Sequence, residues 1–115
     1  MNVVQDLVQD VYAQLGPGRR EKAYQIALAF GLNSQGITAS TEVSNAVYYY
    51  DIHVTTAFID ILTETHVIEI KYVRKLTDIH REQCKAYMRD KGRDGILINF
   101  GTNPPEFELL RYTKD

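Results

Sequence analysis

A chain of 115 residues, 44% of them hydrophobic and with a formal net charge of −2, is long enough to bury one core and too short for two. The mild acidity excludes a protein that coats nucleic acid through a general basic excess. The single cysteine, Cys84, excludes an internal disulfide and a cysteine-based zinc site, and points to a reducing compartment. Asp6 and Asp10 stand where a basic-then-apolar leader would lie. No apolar run approaches the length of a membrane span. A single domain over residues 1–115, soluble and either cytoplasmic or nuclear, is therefore expected.

Val4, Leu7, Val8, Val11, Tyr12 and Leu15 recur at helical spacing and predict an amphipathic helix over 3–15. Gly16-Pro17-Gly18 ends it. A second helix is expected over 19–32, with Tyr24, Ala27, Leu28 and Gly31 as its packing side. Glu21 falls in its first turn, where the helix dipole favours an acid. After a turn at 33–36, alternation predicts a first strand over 37–43, a bend at Ser44-Asn45-Ala46, and a second strand opening at Val47 with a bend near Asp51. Tyr48, Tyr49 and Tyr50 have the makings of a base-stacking platform, but the expectation is that alternate rings pack inside. His53 and His66 lack partners at metal-ligand spacing and read as packing or surface residues.

Residues 57–73, AFIDILTETHVIEIKYV, read as a β-hairpin of β-branched and aromatic limbs. Period-two alternation puts Ile59 and Ile61 on one face and Phe58, Asp60 and Leu62 on the other. On the return limb Ile68 and Ile70 oppose Glu69 and Lys71. A two-residue loop at Glu64-Thr65 sets Asp60 directly opposite Glu69, with Cβ atoms about 4.5–5.5 Å apart. Like charges so placed destabilise a sheet. Either the face is solvated and Lys71 neutralises Glu69, or a divalent cation such as Mg²⁺ sits between the carboxylates. The pattern leaves both open.

Thr77 or Asp78 caps a helix running to about Lys91, with Ile79, Gln83, Ala86 and Tyr87 expected on the sheet. Gln83 and Tyr87 share a face, and an amide buried there needs a partner. From Lys71 to Arg93 eight basic residues stand against three acids. That stretch is either a solvated helix face or a stripe facing phosphates. Gly92–Gly95 turns into Ile96–Phe100, an apolar run suited to a strand buried on both faces. A final edge strand is expected over 107–112.

Asp60 followed nine residues later by Glu69-Ile70-Lys71 resembles the PD-(D/E)xK nuclease superfamily, in which an acid ends one strand and E-x-K lies on the next. Gly18-Arg19-Arg20-Glu21-Lys22-Ala23-Tyr24 is similar to the G-x-x-E-x-x-Y signature of one small family within it, and Leu15-Gly16-Pro17 leads into it as there. Gln83-Cys84-Lys85-Ala86-Tyr87 resembles the Q-x-x-x-Y motif of RecB-like nucleases. Leu76-Thr77, His80 and Leu97–Gly101 extend the likeness over Leu15–Gly101. Many relatives in the small family carry an arginine two residues before the aspartate, where this chain has Phe58.

The resemblance implies an α/β restriction-endonuclease-like core, a mixed sheet flanked by helices in the order α-β-β-β-α-β. It implies a nuclease, by resemblance a deoxyribonuclease, using Mg²⁺ or Mn²⁺ bound by Glu21, Asp60, Glu69 and the carbonyl of Ile70. Lys71 would orient the attacking water. Gln83 and Tyr87 would position the scissile phosphate, and Arg74, Lys75, Arg81 and Lys85 would track the backbone. Nucleic acid is the expected partner, with no membrane, and cutting both strands of a duplex would take a homodimer. The alternative is a catalytically idle module that keeps the fold to bind nucleic acid or a protein. A non-nuclease hydrolase with the same metal cage is a third reading.

Overall fold

Two helices open the computed structural model, which describes residues 2–114. Helix α1 (Asn2–Leu15) and helix α2 (Glu21–Ser34) are joined through the Gly-Pro-Gly turn. A long hairpin follows, β1 (Ser40–Tyr49) and β2 (Ile52–Leu62), then β3 (His66–Lys71), helix α3 (Asp78–Lys91), β4 (Asp94–Asn99) and β5 (Glu106–Leu110). The five strands form one sheet in the order β1-β2-β3-β4-β5. Only β3 and β4 run parallel, because α3 makes the crossover between them. The α/β architecture and the element order expected from the sequence are those observed.

The sheet separates two apolar layers. On one face Ile61, Ile68, Ile70, Ile96 and Ile98 pack against Val4, Val8 and Val11 of α1 and against Tyr24, Leu28 and Leu32 of α2. On the other, Ile59 and Val67 pack against Cys84 and Met88 of α3. Strand β4 is buried along Gly95–Asn99, as its apolar run requires when both faces are covered. Gly95 lets α3 approach closely, since a Cβ there would lie 2.5 Å from Met88 Sδ.

Four expectations are corrected. Residues 44–46 do not bend; β1 runs through them, and the chain turns at Tyr50-Asp51, where a bend was expected. Ile59 and Ile61 do not share a face but enter different layers. The alternation is broken at Asp60, which faces Glu42, a residue in left-handed conformation at φ 50° and outside the paired register on either side. The tyrosines do not pack inside: Tyr48, Tyr49 and Tyr50 are 60%, 67% and 87% exposed. In α3 the buried positions are Cys84 and Met88, while Ile79 and Gln83 are exposed. An apolar residue in the first turn of a helix need not face its sheet, and the charged flanks of Cys84 hid the true seam.

Strand β2 pairs with β3 only at Ile61↔Ile68 and Leu62↔Val67, whereas its pairing with β1 continues out to Ile52. The sheet therefore forks just past Ile61. One prong is the β1–β2 hairpin, and the other is β3 with β4. Asn45 anchors the first prong by donating Nδ2–H to Asp90 Oδ2 at 2.8 Å. Beyond it every residue from Tyr48 to Thr56 is exposed.

Candidate active site at the fork of the sheet

The fork occurs where two carboxylates replace main-chain partners. Continuing the β2–β3 register by one step places Asp60 opposite Glu69, as the hairpin reading expects. The ladder has ended there, however. The Asp60 N–H donates to Glu69 Oε2 at 3.0 Å, and the Ile70 N–H donates to Asp60 Oδ2 at 2.8 Å. Each acid thus satisfies an amide that separation of the strands would orphan.

Both acids are held in a costly state. Glu69 is 4% exposed. Burial, then the Asp60 charge, push its carboxyl up to about 8. Asp60 is also raised, chiefly by burial, against the lowering effect of the Ile70 N–H and of Lys71. Loss of hydration disfavours the ionised form, and a second acid nearby adds to that. Lys71 is the cation that opposes it for both groups. Its Nζ donates to Gln83 Oε1 at 3.1 Å, so the exposed amide of α3 is partnered by the amine of E-x-K. The same acids, after burial, raise the half-buried Tyr87 phenol and drive the buried Cys84 thiol up to about 12. Tyr87 therefore lies within reach of the acids' field, packed on the α3 layer.

Glu21 reaches this region from the start of α2, but at its rim. It is exposed, and its Oε2 accepts the Tyr72 N–H at 2.9 Å. Its charge is felt at Asp60. Three residues on, Tyr24 accounts for the other half of its motif. Tyr24 stacks between Tyr72 and Phe100, with ring centroids 5.8 and 4.3 Å away. Its hydroxyl donates to Gly16 O at 2.7 Å and accepts the Arg19 N–H at 3.1 Å. The Gly18 N–H in turn donates to the Tyr72 hydroxyl. The segment 18–24 is a clamp that holds the α1–α2 turn on the end of β3, and it presents Glu21 there.

Of the basic residues, Arg74, Lys75 and Lys85 are exposed. Arg81 is not available as a phosphate contact. Its guanidinium grips Glu108 at 2.7–3.2 Å and Asp78 at 3.0 Å, which also holds the Glu108 carboxyl below its usual range. Lys85 lies 3.9 Å from Glu82. His80 caps α3, accepting the Thr77 N–H on Nδ1 at 3.0 Å.

Glu42 is a residue the sequence did not single out. Its charge raises both Asp60 and Glu69. One glutamate in an alternating strand carries no signal of its own, and only the β1–β2 register brings it across from Asp60.

Among the described residues no group of three or more His, Cys, Asp or Glu side chains is close enough to hold a metal ion. The donor set is instead a pair: a buried and a half-buried carboxylate, both of raised pKa, with one amine near both. Hard oxygens short of positive charge suit a cation of the Mg²⁺ kind, which is commonly held by one or two carboxylates together with water. The residues present fit such an ion as a two-carboxylate site.

A family model described as the PD-(D/E)XK nuclease superfamily matches residues 1–111. Searches of curated proteins and of solved structures returned no match. No helix among the described residues is long and apolar enough to cross a membrane. The forked mixed sheet, the acid ending one prong and the E-x-K on the other agree with the family match over nearly the whole chain, and the protein belongs to the PD-(D/E)XK nuclease superfamily.

Proposed function

We propose that this protein hydrolyses phosphodiester bonds of nucleic acid, DNA foremost, with Mg²⁺ or Mn²⁺ held by Asp60 and Glu69. The observation that carries the reading is the pairing of Asp60 with buried Glu69, each bonded to the other's strand, with Lys71 two residues on. Such a pair is unfavourable unless a cation or a proton relieves it. The Ile70 carbonyl, between the acid and the amine, is the further oxygen the resemblance supplies, and Glu21 closes the rim.

A bound divalent ion would provide a water of lowered pKa and offset charge developing on the phosphate. Lys71 would orient that water and stabilise the same charge. Gln83 restrains the Lys71 ammonium, and Tyr87 offers a phenol to the phosphate. Arg74, Lys75 and Lys85 follow the backbone, with Arg81 removed from that set. The likeness of residues 18–24 and 83–87 to the G-x-x-E-x-x-Y and RecB-like motifs supports placing the chain in that branch.

The test is incubation of purified protein with plasmid, linear and single-stranded DNA and with RNA, with Mn²⁺ or with chelator. Metal-dependent cleavage that disappears in Glu69→Gln and Lys71→Ala is expected. Cleavage that survives both changes removes these residues from the chemistry. No cleavage by well-folded wild type on any substrate returns the idle binding module as the better reading.

A further inference from the structure

The β1–β2 hairpin beyond Asn45 packs on nothing. Among the described residues, six of the eleven exposed large hydrophobic residues lie in residues 48–58: Tyr48, Tyr49, Tyr50, Ile52, Val54 and Phe58, each 53–87% exposed. Single exposed apolar residues are ordinary, but a cluster of this density on one protruding ribbon marks a contact surface. Aromatic side chains carry roughly 150–250 Å² each. At these exposures the six present on the order of 600–700 Å², shared between the two faces of the ribbon. A standard protein interface takes about 800 Å² from each partner.

Charge decides what kind of partner fits. From Val43 to Ile59 the only charged side chain is Asp51, at the turn. A nucleic-acid grip relies on Lys and Arg to neutralise phosphates, and this ribbon has neither. Strand β1 is moreover the end strand of the sheet, so one row of its main-chain N–H and C=O groups faces no strand. Natural edges are usually guarded by charge, proline or shortness. Here Val43–Tyr50 has no charge and no proline, and β1 is ten residues long. Its irregularities lie at Glu42 and between Val47 and Tyr48, which leaves 43–47 regular.

A strand antiparallel to its own copy is self-complementary about a two-fold axis. With the axis at Asn45, each Asp51 lies at the far end from its counterpart, so the two acids do not meet. We propose that the β1 edges of two copies pair antiparallel through residues 43–47, with the tyrosine-bearing tips closing over the partner, to give a continuous ten-stranded sheet. The proposal rests on the edge and the arm alone and is independent of the nuclease reading.

Sedimentation or light scattering over a concentration series reads the association directly. The wild type is expected at twice the chain mass at ~100 µM, dissociating on dilution. Tyr48→Lys with Val54→Lys, both at exposed positions, should raise the dimer Kd at least ~tenfold with an unchanged far-ultraviolet circular dichroism spectrum. Cysteines introduced together at Ser44 and Ala46, which face one another across an axis at Asn45, should cross-link two chains under mild oxidation, while native Cys84 is buried and stays silent. A wild type that is monomeric at this concentration overturns the proposal. So does a dimer that is unaffected by the lysines, or one in which the paired cysteines do not cross-link.

Discussion

Lys71 donates its ammonium proton to the Gln83 carboxamide at 3.1 Å, bridging the strand that carries Glu69 to the crossover helix α3. Gln83 is exposed, so its role is to fix the amine and not to fill the core. Gln83→Ala should therefore lower kcat by about one to two orders of magnitude and leave stability within about 0.5 kcal/mol. Steady-state cleavage and urea unfolding measure the two. A loss of stability larger than the loss of rate would recast the residue as structural.

The Glu69 carboxyl titrates near 8 in the folded chain against an ordinary value of 4.5. Between those values the folded form binds more protons than the unfolded form, so stability falls as pH rises. In metal-free protein the contribution is full below about pH 4.5 and is lost as pH passes about 8. Urea midpoints with chelator at about pH 5.5 and about pH 8.5 should drop on the alkaline side. Glu69→Gln, which cannot ionise, should flatten that difference. An equal drop in the variant would assign it to another group.

Adding Mn²⁺ should raise the melting temperature, because a ligand that binds only the folded form stabilises it by about 2.7 kcal/mol at 100 times its Kd. Asp60→Asn keeps an acceptor for the Ile70 N–H but removes the charge. The variant should fold and lose the shift. A shift of the same size in Asp60→Asn would place the ion elsewhere.

Tyr24 holds the α1–α2 turn through two hydrogen bonds of its hydroxyl while its ring stacks between Tyr72 and Phe100. Tyr24→Phe should cost about 1–3 kcal/mol, since Gly16 O and Arg19 N–H lose their partner. Cleavage by the folded fraction should persist. An inactive but fully stable variant would move the phenol into the chemistry.

Gly101 sits where a Cβ would lie 2.2 Å from Val73 O and 2.7 Å from Val73 N. The obstacle is backbone, so relief requires moving the chain between β3 and α3. Gly101→Ala should destabilise by about 1–3 kcal/mol or more, read as a lower melting temperature. An unchanged value would show that the segment yields freely.

The sequence made the order of elements, the opposition of Asp60 to Glu69 and the face shared by Glu69 and Lys71 readable, because each follows from a run of regular alternation. It failed where regularity itself fails. The reversal at Asp60 sends Ile59 to the α3 layer, and no local residue announces it. Tyr48–Tyr50 have the composition of strand residues, but composition does not reveal whether anything covers the strand. Arg81 looked like one more cation in a basic stretch, and its commitment to Glu108 depends on a partner 27 residues away. Glu42 joined the acids only through the register of a hairpin whose first strand was expected to stop at residue 43.

Where β2 parts from β3, the oxygens of two ionisable groups do the work that peptide oxygens do in the rest of the sheet. A peptide carbonyl accepts in the same way at any acidity; a carboxylate does not. The junction between the body and the projecting ribbon thus holds two titratable joints, and protonation of either acid weakens the bond that it accepts from the other strand. Two oxygen atoms, Asp60 Oδ2 and Glu69 Oε2, hold the root of the ribbon.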